Sequence, residues 1–175
     1  KDAKKIGLLY SKSEDSSKAP IEDAKKFLAN KGVEVVEKTG TTTDEVNQAV
    51  DALIAEKVDA IFTPTDNTIQ KAELSFYEKL QKAKIPHYGG ADSFALNGAF
   101  AGYGVDYVQL GKATADMVDE VLHGGKETAT LPVQTFDNGI ATVNTDTAEK
   151  LGFSMDELKE VFKPYCTKVE EIKTN

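Results

Sequence analysis

Two short segments concentrate groups that bind small charged molecules. In Ser11-Lys12-Ser13-Glu14-Asp15-Ser16-Ser17, hydroxyls and two carboxylates run straight into a helical pattern. Free backbone N–H groups and the positive end of a helix dipole suit an anion there, such as a carboxylate. The same residues also read as ordinary N-capping by Ser16 or Ser17. Asp66-Asn67-Thr68 follows Pro64-Thr65 at a second strand-to-helix junction. Either Asn67 or Thr68 caps the helix with Asp66 favouring its dipole, or Asp66 pairs with a ligand ammonium. Gly89-Gly90 lets backbone approach a ligand closely, or makes a turn. Tyr10, Tyr88 and Tyr103 lie near strand ends and can line a pocket mouth, whereas Phe62 is assigned to the core.

Bond-making chemistry finds little support. Gly111-Lys112-Ala113-Thr114 lacks the glycine and the hydroxyl that a phosphate-binding loop needs, since Asp106 and Ala113 stand at those positions. There is no G-x-S-x-G elbow, and no G-x-G-x-x-G follows the first strand. His87 and His123 are far apart without metal-ligand spacing, and both are assigned structural roles. Glu14, Asp15 and Asp66 could gather a magnesium ion as in a receiver domain, but no Lys follows the fifth strand. The expectation is therefore no catalytic residue, no metal and no cofactor.

The elements that must position these groups follow from the period of the pattern. Ile6 to Tyr10, Val33 to Val36, Val58 to Phe62, Ile85 to Tyr88 and Ala99 to Tyr103 read as strands. Between them run helical patterns: one with Ile21, Ala24, Phe27 and Leu28 on a face, one after Thr43 as N-cap, and one from Thr68 to Lys82 with Ile69, Leu74, Tyr77 and Leu80 in a stripe. Another runs from Tyr107 to Leu122. Strands alternating with helices imply an α/β fold, a doubly wound parallel sheet of order 2-1-3-4-5 with right-handed crossovers. Ligands bind such sheets beyond the carboxyl ends of the strands. The last 45 or so residues break the rhythm: Leu131 to Phe136 and Ile140 to Val143 read as strands around an Asp137-Asn138-Gly139 turn, followed by short helices near Thr147 to Leu151 and Met155 to Phe162.

Composition narrows the partners. The 175 residues carry a net charge of −8, and all 21 basic side chains are Lys. An acidic chain without Arg makes a poor reader of nucleic acid or an anionic membrane. The single Cys166 excludes an intrachain disulfide. No run of 18 apolar residues is present, and the chain opens without an initiator Met, which suggests a mature or truncated product.

Taken together, Lys4-Lys5-Ile6-Gly7-Leu8-Leu9-Tyr10, Ser13-Glu14-Asp15-Ser16-Ser17, Val58-Asp59-Ala60-Ile61, Pro64-Thr65-Asp66-Asn67-Thr68-Ile69 and the stretch Tyr103 to Lys112 resemble the bacterial ABC transporter substrate-binding proteins of the aromatic amino-acid type. Val143-Asn144 and Ala148-Glu149-Lys150-Leu151-Gly152 fit the same family, so the resemblance runs from residue 4 to about 162. It implies one lobe of a type I periplasmic-binding protein plus a C-terminal crossing segment. Residues 1–135 would be the second, ligand-binding lobe, and 136–175 would return to a missing N-terminal lobe of the same protein. The implied ligand is a small zwitterion, an aromatic amino acid, and the implied partner is the membrane permease of an ABC importer. The location would be extracytoplasmic, with lipid anchoring through a segment outside this chain. The first loop resembles the family's Ser-Glu-x-Asn-Ser, implying carboxylate contacts from Ser13, Ser16 and Ser17 beside Glu14, with Ser16 where Asn is usual. Asp66 and Asn67 match Asp-Asn-Thr, implying Asp66 against the ammonium; Asp92 and Asp106 are further candidates. An effector-binding regulatory lobe of the same fold is the alternative, with a magnesium-dependent receiver or enzyme a third.

Overall fold

The structure, a computed structural model, describes residues 3–135 and 139–174. Seven strands form one sheet in the order β2-β1-β3-β4-β5-β6-β7. They are β1 (Lys5–Tyr10), β2 (Glu34–Thr39), β3 (Ala60–Thr63), β4 (His87–Gly89), β5 (Ala101–Gly104), β6 (Gly139–Asn144) and β7 (Cys166–Ile172). The helices are α1 (Asp15–Asn30), α2 (Thr43–Ala55), α3 (Asn67–Ala72), α4 (Tyr77–Ala83), α5 (Asp92–Leu96), α6 (Tyr107–Leu122), α7 (Thr145–Leu151) and α8 (Met155–Phe162). Strands β1 to β5 pair in parallel, with Leu8 beside Phe62 and Tyr88 beside Ala101. The order 2-1-3-4-5 expected from the βα alternation is present, and β6 and β7 extend it.

One sheet face is filled. Leu9 and Ile61 meet Val46, Val50 and Leu53 of α2, Ile69 of α3, Leu80 of α4 and Phe94 of α5 in a single buried cluster. A parallel sheet needs this cover because its strands carry apolar side chains on both sides. Thr42, one residue before the expected Thr43, caps α2 by accepting from the Glu45 N–H.

The expected continuous helix from Thr68 to Lys82 is instead α3, a 3-10 turn over Glu73–Ser75, and α4. The Ser75 hydroxyl donates to the Ala72 carbonyl at 2.6 Å, and the break turns Phe76 into the core. Leu74, expected on the buried stripe, is 54% exposed as a result. Glu73 goes fully inside and meets His87 Nδ1 at 2.9 Å, while Thr63 Oγ1 lies 2.9 Å from Nε2. His87 is a structural residue of the core.

The tail differs most from the sequence reading. Residues 131–135 are not a strand, the expected turn at Asp137-Asn138 lies outside the described residues, and β6 begins at Gly139. Strand β6 runs antiparallel to β5, pairing Ala101 with Val143, and β7 runs parallel to β6. Phe100, Val143, Ala148 and Leu158 form a second small core, with Phe153 and Phe162 packed against it. Asn144 ties the tail down: its Oδ1 accepts from the Thr147 N–H to cap α7, and its Nδ2 donates to the Ala95 carbonyl at 2.8 Å. Residues after 139 thus share the sheet, and the element that leaves it is α6. Among the described residues, α6 has no buried member.

Candidate ligand-binding site

At the carboxyl edge of the sheet, one carboxylate stitches together the loops after β1 and β3, and the Thr65 hydroxyl ties the loop after β4 to them. Asp66 is 1% exposed. Its Oδ1 accepts from the Ile69 N–H at 3.0 Å, which makes Asp66 itself the N-cap of α3 in place of Asn67 or Thr68. Its Oδ2 accepts from the Ser11 N–H and from the Ser17 hydroxyl, both at 2.7 Å. A carboxylate offers about four acceptor positions, so three donors leave one. Buried charges persist only when hydrogen-bonded in this manner.

The network spreads outward from there. Ser11 Oγ lies 2.8 Å from Ser13 Oγ. Glu14, the N-cap residue of α1, makes no side-chain cap; its carboxylate accepts from Asn67 Nδ2 and from Thr68 Oγ1, each at 3.3 Å. Neither Ser16 nor Ser17 caps α1. The Ser16 hydroxyl donates to the Thr65 carbonyl at 3.0 Å, and the Thr65 hydroxyl donates to the Gly90 carbonyl at 3.0 Å. A Cβ on Gly90 would sit 2.6 Å from the Thr65 nitrogen and 2.7 Å from the Pro64 carbonyl carbon, so only glycine admits this loop contact.

Six of the eight residues singled out in the sequence therefore meet in one network: Ser13, Glu14, Ser16, Ser17, Asp66 and Asn67. Within it, Ser17 and Asp66 are buried, Glu14 is half-buried, and Ser13, Ser16 and Asn67 are exposed. Asp92 and Asp106 lie on neighbouring loops but bond locally. Asp92 accepts from the Ser93 N–H, and Asp106 caps α6 through the Val108 and Gln109 N–H groups. Ser11 belongs to the first of the two segments but was assigned no contact; its role rests on a backbone N–H facing a residue 55 positions away, which no local pattern reveals. Asp15 pairs with Lys18, so Glu14, Asp15 and Asp66 each face different partners.

The tyrosines divide. Tyr10 turns away and donates to Glu37 at 3.0 Å, and burial together with that carboxylate pushes its pKa up. Tyr88 and Tyr103 face an apolar groove of about 590 Å³ on the second sheet face, and so does Phe62, which was assigned to the core. The groove ends at Pro64, Thr65 and Gly90, beside the Asp66 network.

A family model described as ABC transporter substrate binding protein matches residues 1–163. The chain is 35% identical over 162 residues to the tyrosine-binding protein of Clostridioides difficile (strain R20291), covering 91% of this chain and 46% of that protein. Among solved structures, the ligand-free, open form of a substrate-binding protein with adhesive properties from Clostridium difficile aligns at TM-score 0.79 and 32% identity, over 99% of this chain and 56% of that one. A Streptococcus pneumonia ABC domain in complex with L-Trp aligns at TM-score 0.78 and 33% identity, over 96% and 55%. The chain spans about half the length of the relatives it matches.

Proposed function

Since the chain belongs to the family of ABC transporter substrate binding proteins, we propose that it is one ligand-binding lobe of an extracytoplasmic receptor for an aromatic amino acid. The receptor captures its ligand without bond making or breaking and passes it to the membrane permease of an ABC importer. The observation that carries this reading is the Asp66-centred network. It sets exposed hydroxyls and the uncapped start of α1 beside carboxylates in one cluster. That pairing complements a zwitterion: the ligand carboxylate lies at Ser13, Ser16 and the first N–H groups of α1, and the ammonium lies toward Glu14, Asn67 and the remaining acceptor position of Asp66. Ser17 acts from behind, holding Asp66. The aromatic class rests on the relatives described as tyrosine-binding and as bound to L-Trp. A second lobe, lying N-terminal in the longer polypeptide, supplies the opposite wall and excludes water on closure, and a lipid anchor outside this chain holds the receptor at the membrane.

An amide NMR titration with aromatic, aliphatic and acidic amino acids, plus a sugar, tests this. Shifts confined to residues 11–17 and 64–68 are expected with the aromatic amino acids, at affinities in the range of about a millimolar. Shifts with the sugar alone would overturn the ligand class, and binding at about a micromolar or tighter by the lobe alone would overturn the need for a second lobe.

A further inference from the structure

Beneath the loops of the site lies a buried polar triad that the proposed ligand contacts do not use. Glu73 Oε1 and His87 Nδ1 are 2.9 Å apart, and His87 Nε2 lies 2.9 Å from Thr63 Oγ1. Glu73 and Thr63 are fully buried, and His87 is 2% exposed. Polar groups this deep are normally satisfied, yet Glu73 Oε2 has no hydrogen-bond partner among the described residues. Phe76 and Phe94 lie against the imidazole, each at 5.8 Å between ring centroids. Tyr77, Gln81 and Thr147 line the space beside the pair, and among the described residues there Tyr77 is the one further titratable group. The Lys150 ammonium stops at Gln81 Oε1, 3.0 Å away.

Each member of the triad sits at the root of a loop of the site. Thr63 ends β3, directly before Pro64-Thr65-Asp66, and His87 opens β4, just before Gly89-Gly90. Glu73 follows α3, the helix of about 9 Å whose first turn Asp66 caps. That helix is therefore fastened at one end to the site and at the other to His87. Phe94 carries the ring's position further: it meets His87 edge-on, and a Cβ on Gly89 would fall 2.3 Å from its Cγ.

We infer that Glu73 and His87 hold a single proton between Oε1 and Nδ1, and that this proton positions the loops of the ligand site. The inference rests on the reading of the carboxyl edge as that site. With the proton in place the pair is neutral overall, as carboxylic acid beside imidazole or carboxylate beside imidazolium, and Nε2–H donates to Thr63 in either form. Burial favours its retention, since it raises the Glu73 carboxyl above the ordinary range. When the proton leaves to water, an uncompensated carboxylate stays in the core. The remaining ring hydrogen then belongs on Nδ1 against that carboxylate, Nε2 becomes an acceptor, and the Thr63 hydroxyl must turn from acceptor to donor. The roots of both loops loosen, so ligand affinity falls as pH rises through the pair's value.

NMR of the His87 ring nitrogens and the Glu73 carboxyl carbon in the full chain, between about pH 5 and 8, tests the shared proton. The two should change in one common step, distinct from that of His123, whose exposed ring serves as reference. The amides of Asp66, Asn67, Gly89 and Gly90 should follow the same step without ligand. L-Tryptophan, the probe, should bind about fivefold more weakly above the step than below it. Glu73→Gln keeps the side-chain volume and a hydrogen bond to the ring but cannot release this proton, so its loop amides and its L-tryptophan affinity should stay level over the range. Separate steps for ring and carboxyl, no step, loop amides that ignore it, or the same pH profile in Glu73→Gln would overturn the inference. Loops that follow the step in a chain that binds no L-tryptophan at any pH remove only the receptor reading, and L-tryptophan binding with loop amides that ignore the step removes only this inference.

Discussion

Asp66→Asn separates the local role of this residue from its long-range one. As an N-cap, Asn matches Asp, because its carbonyl oxygen still accepts from the Ile69 N–H. The other oxygen becomes an NH₂ group and faces two donors. The Ser17 hydroxyl can rotate to accept from it. The Ser11 N–H cannot, so at 2.7 Å it is left buried against another donor. A buried donor without its acceptor costs about 1–3 kcal/mol, and the bond lost was charge-assisted, so about 2 kcal/mol of stability should go. At about 2–4 °C per kcal/mol for a chain of this size, the melting temperature should fall by roughly 4–8 °C. Asp66→Ala also removes the cap and should lose about 1 kcal/mol more. Urea denaturation gives the two free energies, and hydrogen exchange at the Ser11 amide locates the damage. An Asn variant within about 0.5 kcal/mol of wild type, or one less stable than the Ala variant, would refute the role given to the Ser11 N–H.

Three further outcomes are expected. Burial raises the Glu73 carboxyl above its ordinary 4.5, against the opposing pull of His87, and its Oε2 has no hydrogen-bond partner among the described residues. The folded state then holds a proton that the unfolded chain releases, so this group's stabilisation is complete below the ordinary carboxylate range and is lost as pH rises through the raised value. Urea midpoints measured from pH 4 upward should decline for wild type and stay flatter for Glu73→Gln; parallel curves would sink the assignment. Gly90→Ala pushes a Cβ against the backbone of Pro64 and Thr65, which should cost about 1–3 kcal/mol. It should also weaken amino-acid binding at least tenfold in the NMR titration, and unchanged affinity would mean this loop contact does not shape the site. Asn144→Ala removes the α7 cap and the bond to the Ala95 carbonyl, and should destabilise by about 2 kcal/mol in thermal melts with ligand shifts unaltered.

Much of the scaffold was legible because it is written in local repetition. Continuous apolar runs such as Ile6 to Tyr10 mark strands buried on both faces, and helical stretches alternate with them, so a doubly wound parallel sheet follows from alternation; the expected order 2-1-3-4-5 is one of the windings that alternation allows and is the one present. The candidate site was legible as a set of loops, since carboxyl-edge loops are where open α/β sheets bind ligands. What each side chain does there was not. Asp66 looks like a residue beside a cap, and Ser17 like a cap, because capping signals are local. Their bond joins residues 49 positions apart and exists only once α1 and α3 stand side by side. The break between α3 and α4 has the same origin: propensity favours a continuous helix, and the buried meeting of Glu73 with His87 and the inward turn of Phe76 override it. Strand β7, with Thr, Lys and two apolar positions beside glutamates, Val169 and Ile172, has no strong period and forms only because β6 offers an edge. Periodicity reports which faces of the chain need burial, so the sequence by itself marked apolar faces on α1 and on the stretch from Thr68 to Lys82. Which members of those faces are covered, as Ile69 and Leu80 are and Leu74 and Phe27 are not, depends on how the elements assemble in space, and that only the tertiary structure decided.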